Sequence, residues 1–186
     1  EYLQTIYPNI YACGDVAGPY QLTHAAAHQA WYAAVNALFG GFRRFKVDYS
    51  VIPWAIFTEP EIARVGLNER DAEKKDIPFE VTRFSMQDLD RAITDGENEG
   101  VVKVLTVPGR DRILGVSIVG HRAGDLIAEY VLAMRNRIGL NRILNTIHVY
   151  PTFAEANKHV AGNWKRAHTP AGVLGWLRRF HNWRRS

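Results

Sequence analysis

Two short segments of the sequence hold side chains that could take part in chemistry. In the first, Asp15 follows a short apolar run, residues 10–13, and a glycine, Gly14. The glycine permits close approach of a ligand, and the carboxylate could accept hydrogen bonds from the sugar hydroxyls of a cofactor. The alternative is a turn aspartate that caps its own backbone, and the residues alone favour that structural role.

The second segment contains His148, Tyr150 and Glu155. A histidine can carry a proton near neutral pH, whereas a tyrosine, with a pKa of about 10, is a poor base that can still donate a hydrogen bond or a proton. A structural role also accounts for this segment, because Thr152 and Glu155 have the spacing of a capping box at the start of a helix. The bond before Pro151 is a place where a cis peptide can occur.

Periodicity predicts which elements position these segments. Residues 22–39 predict a helix with a stripe of small residues, which we expect to pack closely (Ala26, Ala30, Ala33 and Ala37). Residues 10–13 predict a buried strand. Further strands are predicted at residues 51–57, 62–65, 79–84, 101–107 and 113–119. Four further helices are predicted: one at 68–75, one from Leu126 to Gly139, a short one after Asn141 and one at 152–161. Asn68 caps the first of these, and Gly139 ends the second.

Turn residues between 101–107 and 113–119 predict a hairpin. Hairpins interrupted by helices, without regular alternation, predict an α+β fold with an antiparallel sheet flanked by helices. The first 45 residues look like the closing strand and helix of a different domain. We therefore predict an end of a preceding domain at 1–48, a second domain at 49–168 and a tail at 169–186.

Composition and charge limit the classes of protein to which this chain can belong. Of the 186 residues, 47% are hydrophobic and 23% charged, which is typical of a globular chain. Cys13 is the only cysteine, which excludes an internal disulfide or a Cys-rich metal site and indicates a reducing, cytoplasmic context; we expect it to be buried. The chain begins at Glu1 with neither Met nor a signal pattern, as if cut from something longer.

The basic residues concentrate at the C-terminus. Residues 165–186 carry six Lys and Arg and no acid, so the rest of the chain, from a total of +4, carries −2. This argues against a nucleic-acid partner for the main domain. Residues 171–183 predict an amphipathic helix, for which docking on its own domain or on another subunit is favoured over peripheral membrane contact through 171–185. His24 and His28 share a helical face, but no further ligand stands nearby and we expect no metal site.

Four segments resemble, in order and spacing, motifs of the pyridine nucleotide–disulfide oxidoreductases, and most closely the mercuric-reductase-like members. Residues 11–15 (Tyr-Ala-Cys-Gly-Asp) look like the second flavin motif, and residues 22–26 like the helix start that follows it. Residues 60–66 resemble the entry to the dimerisation domain, and residues 150–155 the closing His-Pro-Thr…Glu signature. The resemblance covers residues 1 to about 168 and implies that 1–48 end an FAD-binding domain.

The resemblance also implies roles for particular residues. Gly14 and Asp15 would lie at the ribityl chain of FAD, and the backbone N–H groups of Leu22, Thr23 and His24 would face the flavin ring. In the family, a His–Glu pair acts across a homodimer interface beside the active disulfide of the other subunit.

That pair corresponds to Tyr150 and Glu155 here, so the usual base is replaced by a tyrosine. His148 lies where lipoamide dehydrogenases often have a second histidine. It is a candidate proton carrier, although a packed, hydrogen-bonded role is favoured.

The resemblance implies an oxidoreductase that uses FAD, NAD(P)H and a redox-active disulfide on a small-molecule substrate. Mercuric reductases carry a C-terminal cysteine pair that this sequence lacks, which argues against mercury and leaves a dithiol, a disulfide or another oxidant open. The chain also lacks a Gly-x-Gly-x-x-Gly loop and a Cys-x4-Cys pair, so we expect it to be inactive alone and to bind neither FAD nor NAD(P)H by itself. The alternatives are a stand-alone binding module and a protein that acts at a membrane surface or on nucleic acid through its tail.

Overall fold

The computed structural model describes residues 1–185 and groups them into two units, of which the first is Glu1–Ile52 and the second begins at Pro53. The first unit holds a 3₁₀ turn, Asp15–Ala17, and helix α1, Thr23–Phe39. Helix α1 confirms the predicted helix at 22–39.

The predicted strand at residues 10–13 is wrong. This segment forms only an isolated antiparallel bridge, Gln4 to Tyr11, and both Ile10 and Cys13 are exposed. Among residues 1–52 no other strand is present to pair with this apolar run or to cover it. The expectation that Cys13 is buried fails for the same reason.

The buried face of α1 also differs from the predicted small-residue stripe. It consists of two alanines and two amides (Ala25, Gln29, Ala33 and Asn36). The Asn36 amide donates to the carbonyls of Tyr2 (3.1 Å) and Phe45 (2.7 Å) and accepts from the Phe45 N–H (2.7 Å). Buried polar groups are stable when bonded in this way, which a pattern based on apolar residues does not detect.

The second unit is built on a five-stranded antiparallel sheet in the order β1-β2-β5-β4-β3. The strands are β1 Pro53–Ile56, β2 Ile62–Gly66, β3 Glu80–Ser85, β4 Val101–Thr106 and β5 Ile113–Val119. Strands β4 and β5 form the predicted hairpin. The fold is therefore the expected α+β class with an antiparallel sheet flanked by helices.

Register explains where the core of this unit lies. Successive side chains of a strand alternate between faces, so paired residues on neighbouring strands share a face. Two rows of fully buried residues cross strands β2, β5 and β4 in this way: Ala63–Ile118–Val102 and Val65–Val116–Val104. These rows form the apolar surface on which helices pack.

The described part of this unit also has six α-helices, two between strands and four after the last strand: α2 Glu69–Lys74, α3 Asp90–Asp95, α4 Ala123–Arg135, α5 Leu140–Leu144, α6 Glu155–Ala167 and α7 Ala171–Arg185. Helix α4 packs on β1, β2 and β5, α6 packs on β3 and β4, and α5 packs on α6. Asn68 caps α2 through a complete capping box, as predicted. Helix α3 is absent from the sequence-based prediction.

The predicted boundaries of two helices need correction. Helix α4 ends at Arg135 rather than at Gly139, because Gly139 is the N-cap of α5 and Arg137 has a positive φ of 55° that breaks the helix. Helix α6 begins at Glu155 rather than at Thr152. None of the helices in residues 1–185 has both the length and the apolar character needed to cross a bilayer.

Candidate functional site

His148 lies in the loop between α5 and α6 and is held by its own chain. Its side chain is only 6% exposed. The Nε2 atom lies 3.0 Å from Glu129 Oε1, and Nδ1 lies 3.1 Å from the Thr146 carbonyl oxygen. Both ring nitrogens therefore face oxygen acceptors, which fixes the orientation of the ring.

Glu129 and Asn157 extend this contact into a network between two helices. Asn157, on α6, is 1% exposed and donates to Glu129 Oε2 (2.9 Å) and to the Leu126 carbonyl (3.1 Å), both on α4. The network of His148, Glu129 and Asn157 connects α4, α6 and the loop. Sequence reasoning missed it, although a polar Asn157 on the buried face of α6 was a signal that could have revealed it.

Tyr150 differs from His148 in being exposed, with 66% of its surface accessible. Its hydroxyl donates to Asp90 Oδ2, on α3, at 3.0 Å. This hydrogen bond and the negative charge of Asp90 raise the pKa of Tyr150 above its ordinary value. The phenol therefore stays protonated near neutral pH, so its chemical capacity is to donate a hydrogen bond or a proton. The Tyr150–Pro151 peptide is cis.

Glu155 is the first residue of α6, and only half of the predicted capping box forms. Its carboxylate accepts from the Thr152 N–H at 3.3 Å. The reciprocal bond does not form, because the Glu155 N–H donates to the Thr152 carbonyl oxygen at 3.3 Å, and the Thr152 hydroxyl donates to the Val149 carbonyl at 2.6 Å. The structure thus brings His148, Tyr150 and Glu155 to one junction of loop and helix, but their hydrogen bonds go to Glu129, Asp90 and Thr152.

The loop presents apolar side chains on either side of the buried histidine. Ile147 is 93% exposed and Val149 is 74% exposed, and together with Tyr150 we call them the loop surface. Ile93 and Leu132, on α3 and α4, are also more than half exposed. Exposed apolar groups of this size, gathered in one short segment, are typical of a protein interface.

The Asp15 segment in the first unit is held by a buried glutamine that sequence reasoning missed. Gln29, fully buried on α1, accepts from the Gly14 N–H (2.6 Å) and donates to the Gly18 carbonyl (3.1 Å) and the Tyr49 hydroxyl (3.0 Å). The bonds to Gly14 and Gly18 fix both ends of the turn that carries Asp15. The side chain of Asp15 itself is exposed.

Gly14 places this turn against the first turn of α1. A Cβ at this position would lie 3.5 Å from the Ala26 Cβ, and φ is +79°, which glycine adopts without strain. Helix α1 has Leu22 as its N-cap, with no side-chain cap, and Thr23 and His24 are exposed. An exposed carboxylate beside a helix start whose N-cap, Leu22, gives no side-chain cap is compatible with the hydroxyl groups and carbonyl oxygens of a cofactor such as FAD.

A further cluster of possible metal ligands lies in the second unit. Glu59, Glu97 and His121 each offer one ligand atom, and these three atoms lie within 4.8 Å of one another. No local sequence pattern reveals this cluster, because the three residues belong to separate loops. Exposed carboxylates also gather without an ion, so we assign no metal to them. Within the described residues, no metal-ligand cluster of this kind includes His24 or His28, and the His28 ring lies 5.0 Å from the Tyr32 ring.

A sheet of this topology, flanked by helices and carrying an exposed Tyr-Pro-Thr loop, fits the expected dimerisation domain of the disulfide oxidoreductases. Residues 52–161 match the family described as pyridine nucleotide-disulphide oxidoreductase, dimerisation domain. The chain belongs to this family.

The chain is similar in sequence to relatives from two groups of oxidoreductases. Dihydrolipoyl dehydrogenase of Chlamydia muridarum is 40% identical over 153 residues, which are 82% of this chain and 32% of the relative. Mercuric reductase of Shewanella putrefaciens is 32% identical over 166 residues, 89% of this chain and 29% of the relative. The chain thus spans about a third of the length of these relatives. Because these relatives are oxidoreductases, they favour neither a stand-alone binding module nor action at a membrane surface as the function of the chain.

Solved structures show the same fold. LpdA from Mycobacterium tuberculosis superposes with a TM-score of 0.77 at 27% identity, over 86% of this chain and 34% of that one. The Cu(II) complex of the HOCl-induced flavoprotein disulfide reductase RclA from Escherichia coli gives a TM-score of 0.78 at 24% identity, over 87% of this chain and 36% of that one. The second likeness concerns the fold alone.

Proposed function

We propose that this chain is the C-terminal part of an FAD-dependent, NAD(P)H-using oxidoreductase that acts on a sulfur or thiophilic substrate through a redox-active disulfide. The support is the family match together with relatives three times as long that are oxidoreductases. Bound FAD would relay electrons from the nicotinamide to the disulfide. Asp15 and the backbone of Leu22, Thr23 and His24 would hold it, with Gly14 allowing its close approach.

The second part of the proposal is a homodimer formed through the loop surface, in which Tyr150 reaches the sulfur chemistry of the partner subunit. The observation that carries it is an exposed, protonated phenol beside two exposed apolar residues, Ile147 and Val149. Tyr150 then donates a hydrogen bond or a proton to sulfur. His148 acts as a positioning residue, because both of its ring nitrogens are engaged within its own chain. Glu155 fixes the backbone just after the proline.

The dimer is tested by sedimentation velocity of the chain with Val149→Asp. A charge in an apolar interface is costly, so we expect the wild type to sediment as a dimer and the variant as a monomer. Leu38→Asp is the matched control, since Leu38 is equally exposed, at 73%, but lies in the first unit. A monomeric wild type, or a Val149→Asp variant that still dimerises, would contradict the proposal.

The enzyme is tested in the longer polypeptide that contains this chain. We expect Tyr150→Phe to lower kcat for a dithiol or disulfide substrate on the order of 100-fold, as for loss of a general acid, with bound flavin unchanged. An unchanged kcat would remove Tyr150 from the reaction. If the sequence preceding Glu1 contains no Cys-x4-Cys pair, the enzyme assignment itself fails and the stand-alone module takes its place.

A further inference from the structure

Helix α7, at the C-terminal end of the described chain, carries a strip of three aromatic rings, of which the two tryptophans are exposed and the phenylalanine between them is half-buried. Trp176, Phe180 and Trp183 follow each other at spacings of four and three residues, which places them on one helical face. Trp176 stacks on Phe180 at 5.6 Å with an interplanar angle of 11°, and Trp183 lies 6.1 Å from Phe180. The two tryptophans are 63% and 72% exposed. The sequence favoured docking of this face on the helix's own domain or on another subunit, and the exposure of both tryptophans shows that it does not dock on its own domain.

The same helix carries a strong positive charge. Its four arginines are Arg178, Arg179, Arg184 and Arg185, and no Asp or Glu follows Glu155 in the sequence. The guanidinium of Arg184 lies over the Phe180 ring, 5.9 Å from the ring centroid. A cation held at the level of the aromatic strip suits a partner surface that offers negative charge beside apolar material.

We propose that α7 attaches the protein peripherally to a bilayer of anionic lipids. A helix of 15 residues is about 22 Å long, which suits it to lie along the interface and not to cross it. Tryptophan rings are stable at the level of the headgroups, where the ring contacts acyl chains while the indole N–H stays hydrated. The arginines then contact lipid phosphates. This attachment is independent of the oxidoreductase function proposed above.

The experiment is flotation of the whole chain with vesicles of phosphatidylcholine, with and without phosphatidylserine. We expect binding only to the anionic vesicles and weaker binding as salt is raised. Trp176→Ser with Trp183→Ser should lower the partition coefficient at least about tenfold. Arg178→Glu with Arg179→Glu should lower it on the order of a hundredfold. A chain that ends at Thr169 should not bind.

Matched controls come from the first unit. Trp31→Ser replaces another exposed tryptophan, at 57%, and Arg43→Glu with Arg44→Glu reverses another adjacent arginine pair. Both should bind vesicles as the wild type does. The proposal is overturned if the α7 variants bind like these controls, or if neutral vesicles bind equally well. It is also overturned if duplex DNA or RNA binds the chain more tightly than anionic vesicles do, which would assign α7 to nucleic acid.

Discussion

Replacement of Glu129 by alanine tests whether the network around His148 holds the loop in place. The Glu129 side chain, 29% exposed, accepts one hydrogen bond from Asn157 and faces the His148 ring at 3.0 Å. Each bond of this kind contributes about 1 kcal/mol net, and the Asn157 amide is left in a buried site with one partner fewer. We therefore expect Glu129→Ala to lower the free energy of unfolding by about 2–3 kcal/mol.

Glu129→Gln gives a graded comparison. The amide oxygen of glutamine can accept a hydrogen bond from one of the two partners. Glu129→Gln should therefore lower the free energy of unfolding by about half as much as Glu129→Ala does. The measurement is urea denaturation at one fixed protein concentration, since dimerisation would otherwise change the apparent stability. We also expect Glu129→Ala to weaken the dimer in sedimentation, because the loop surface loses its anchor.

Asn163→Ala provides the control for loss of an amide. Asn163 lies on the same helix as Asn157, but its bond to the Arg83 carbonyl is exposed, and its loss should cost less than about 0.5 kcal/mol. If Glu129→Ala destabilises the chain no more than Asn163→Ala does, the network does not position the loop, and the role given to His148 is wrong.

Three further predictions concern buried groups and the cofactor. The Tyr130 hydroxyl is fully buried with no hydrogen-bond partner in the described chain, so Tyr130→Phe should raise the free energy of unfolding by about 1 kcal/mol in urea denaturation. Burial also raises the pKa of Tyr130 well above its ordinary value. Above about pH 10 only the unfolded tyrosine loses its proton, so the wild type should lose stability relative to Tyr130→Phe as the pH rises further. Gln29→Leu removes the three hydrogen bonds of a buried amide and should destabilise the first unit by about 3 kcal/mol, whereas Gln21→Leu, at an exposed glutamine, should have little effect. The purified chain should be colourless, as read from its visible absorbance after gel filtration, because it lacks a Gly-x-Gly-x-x-Gly phosphate-binding loop.

Each of these three has an outcome that contradicts it. A destabilised Tyr130→Phe would mean that the hydroxyl has a partner that the structure does not describe. Equal effects of the Gln29 and Gln21 variants would show that the Asp15 turn does not depend on the buried amide. A preparation that keeps yellow flavin through gel filtration would show that residues 1–52 bind FAD without the rest of a flavin domain.

The sequence by itself determined the features that depend on neighbouring residues. Helix α1, the hairpin of β4 and β5 and the Asn68 cap follow from local periodicity and turn chemistry, which act over a few residues. The antiparallel α+β class follows from the order of these elements. Local patterns also misled, because the apolar run at residues 10–13 reads as a strand wherever it occurs and becomes one only when another strand pairs with it.

Only the tertiary structure decided which polar side chains meet. Glu129 lies 19 residues from His148, and Asp90 lies 60 residues from Tyr150, so neither pairing is visible in a local pattern. The family resemblance suggested Glu155 as the functional partner of Tyr150, and within this chain the Glu155 carboxylate accepts a hydrogen bond from the Thr152 backbone N–H. A side-chain hydrogen bond requires its two atoms within about 3 Å, and that distance is set by how α3, α4 and α6 pack rather than by the order of residues.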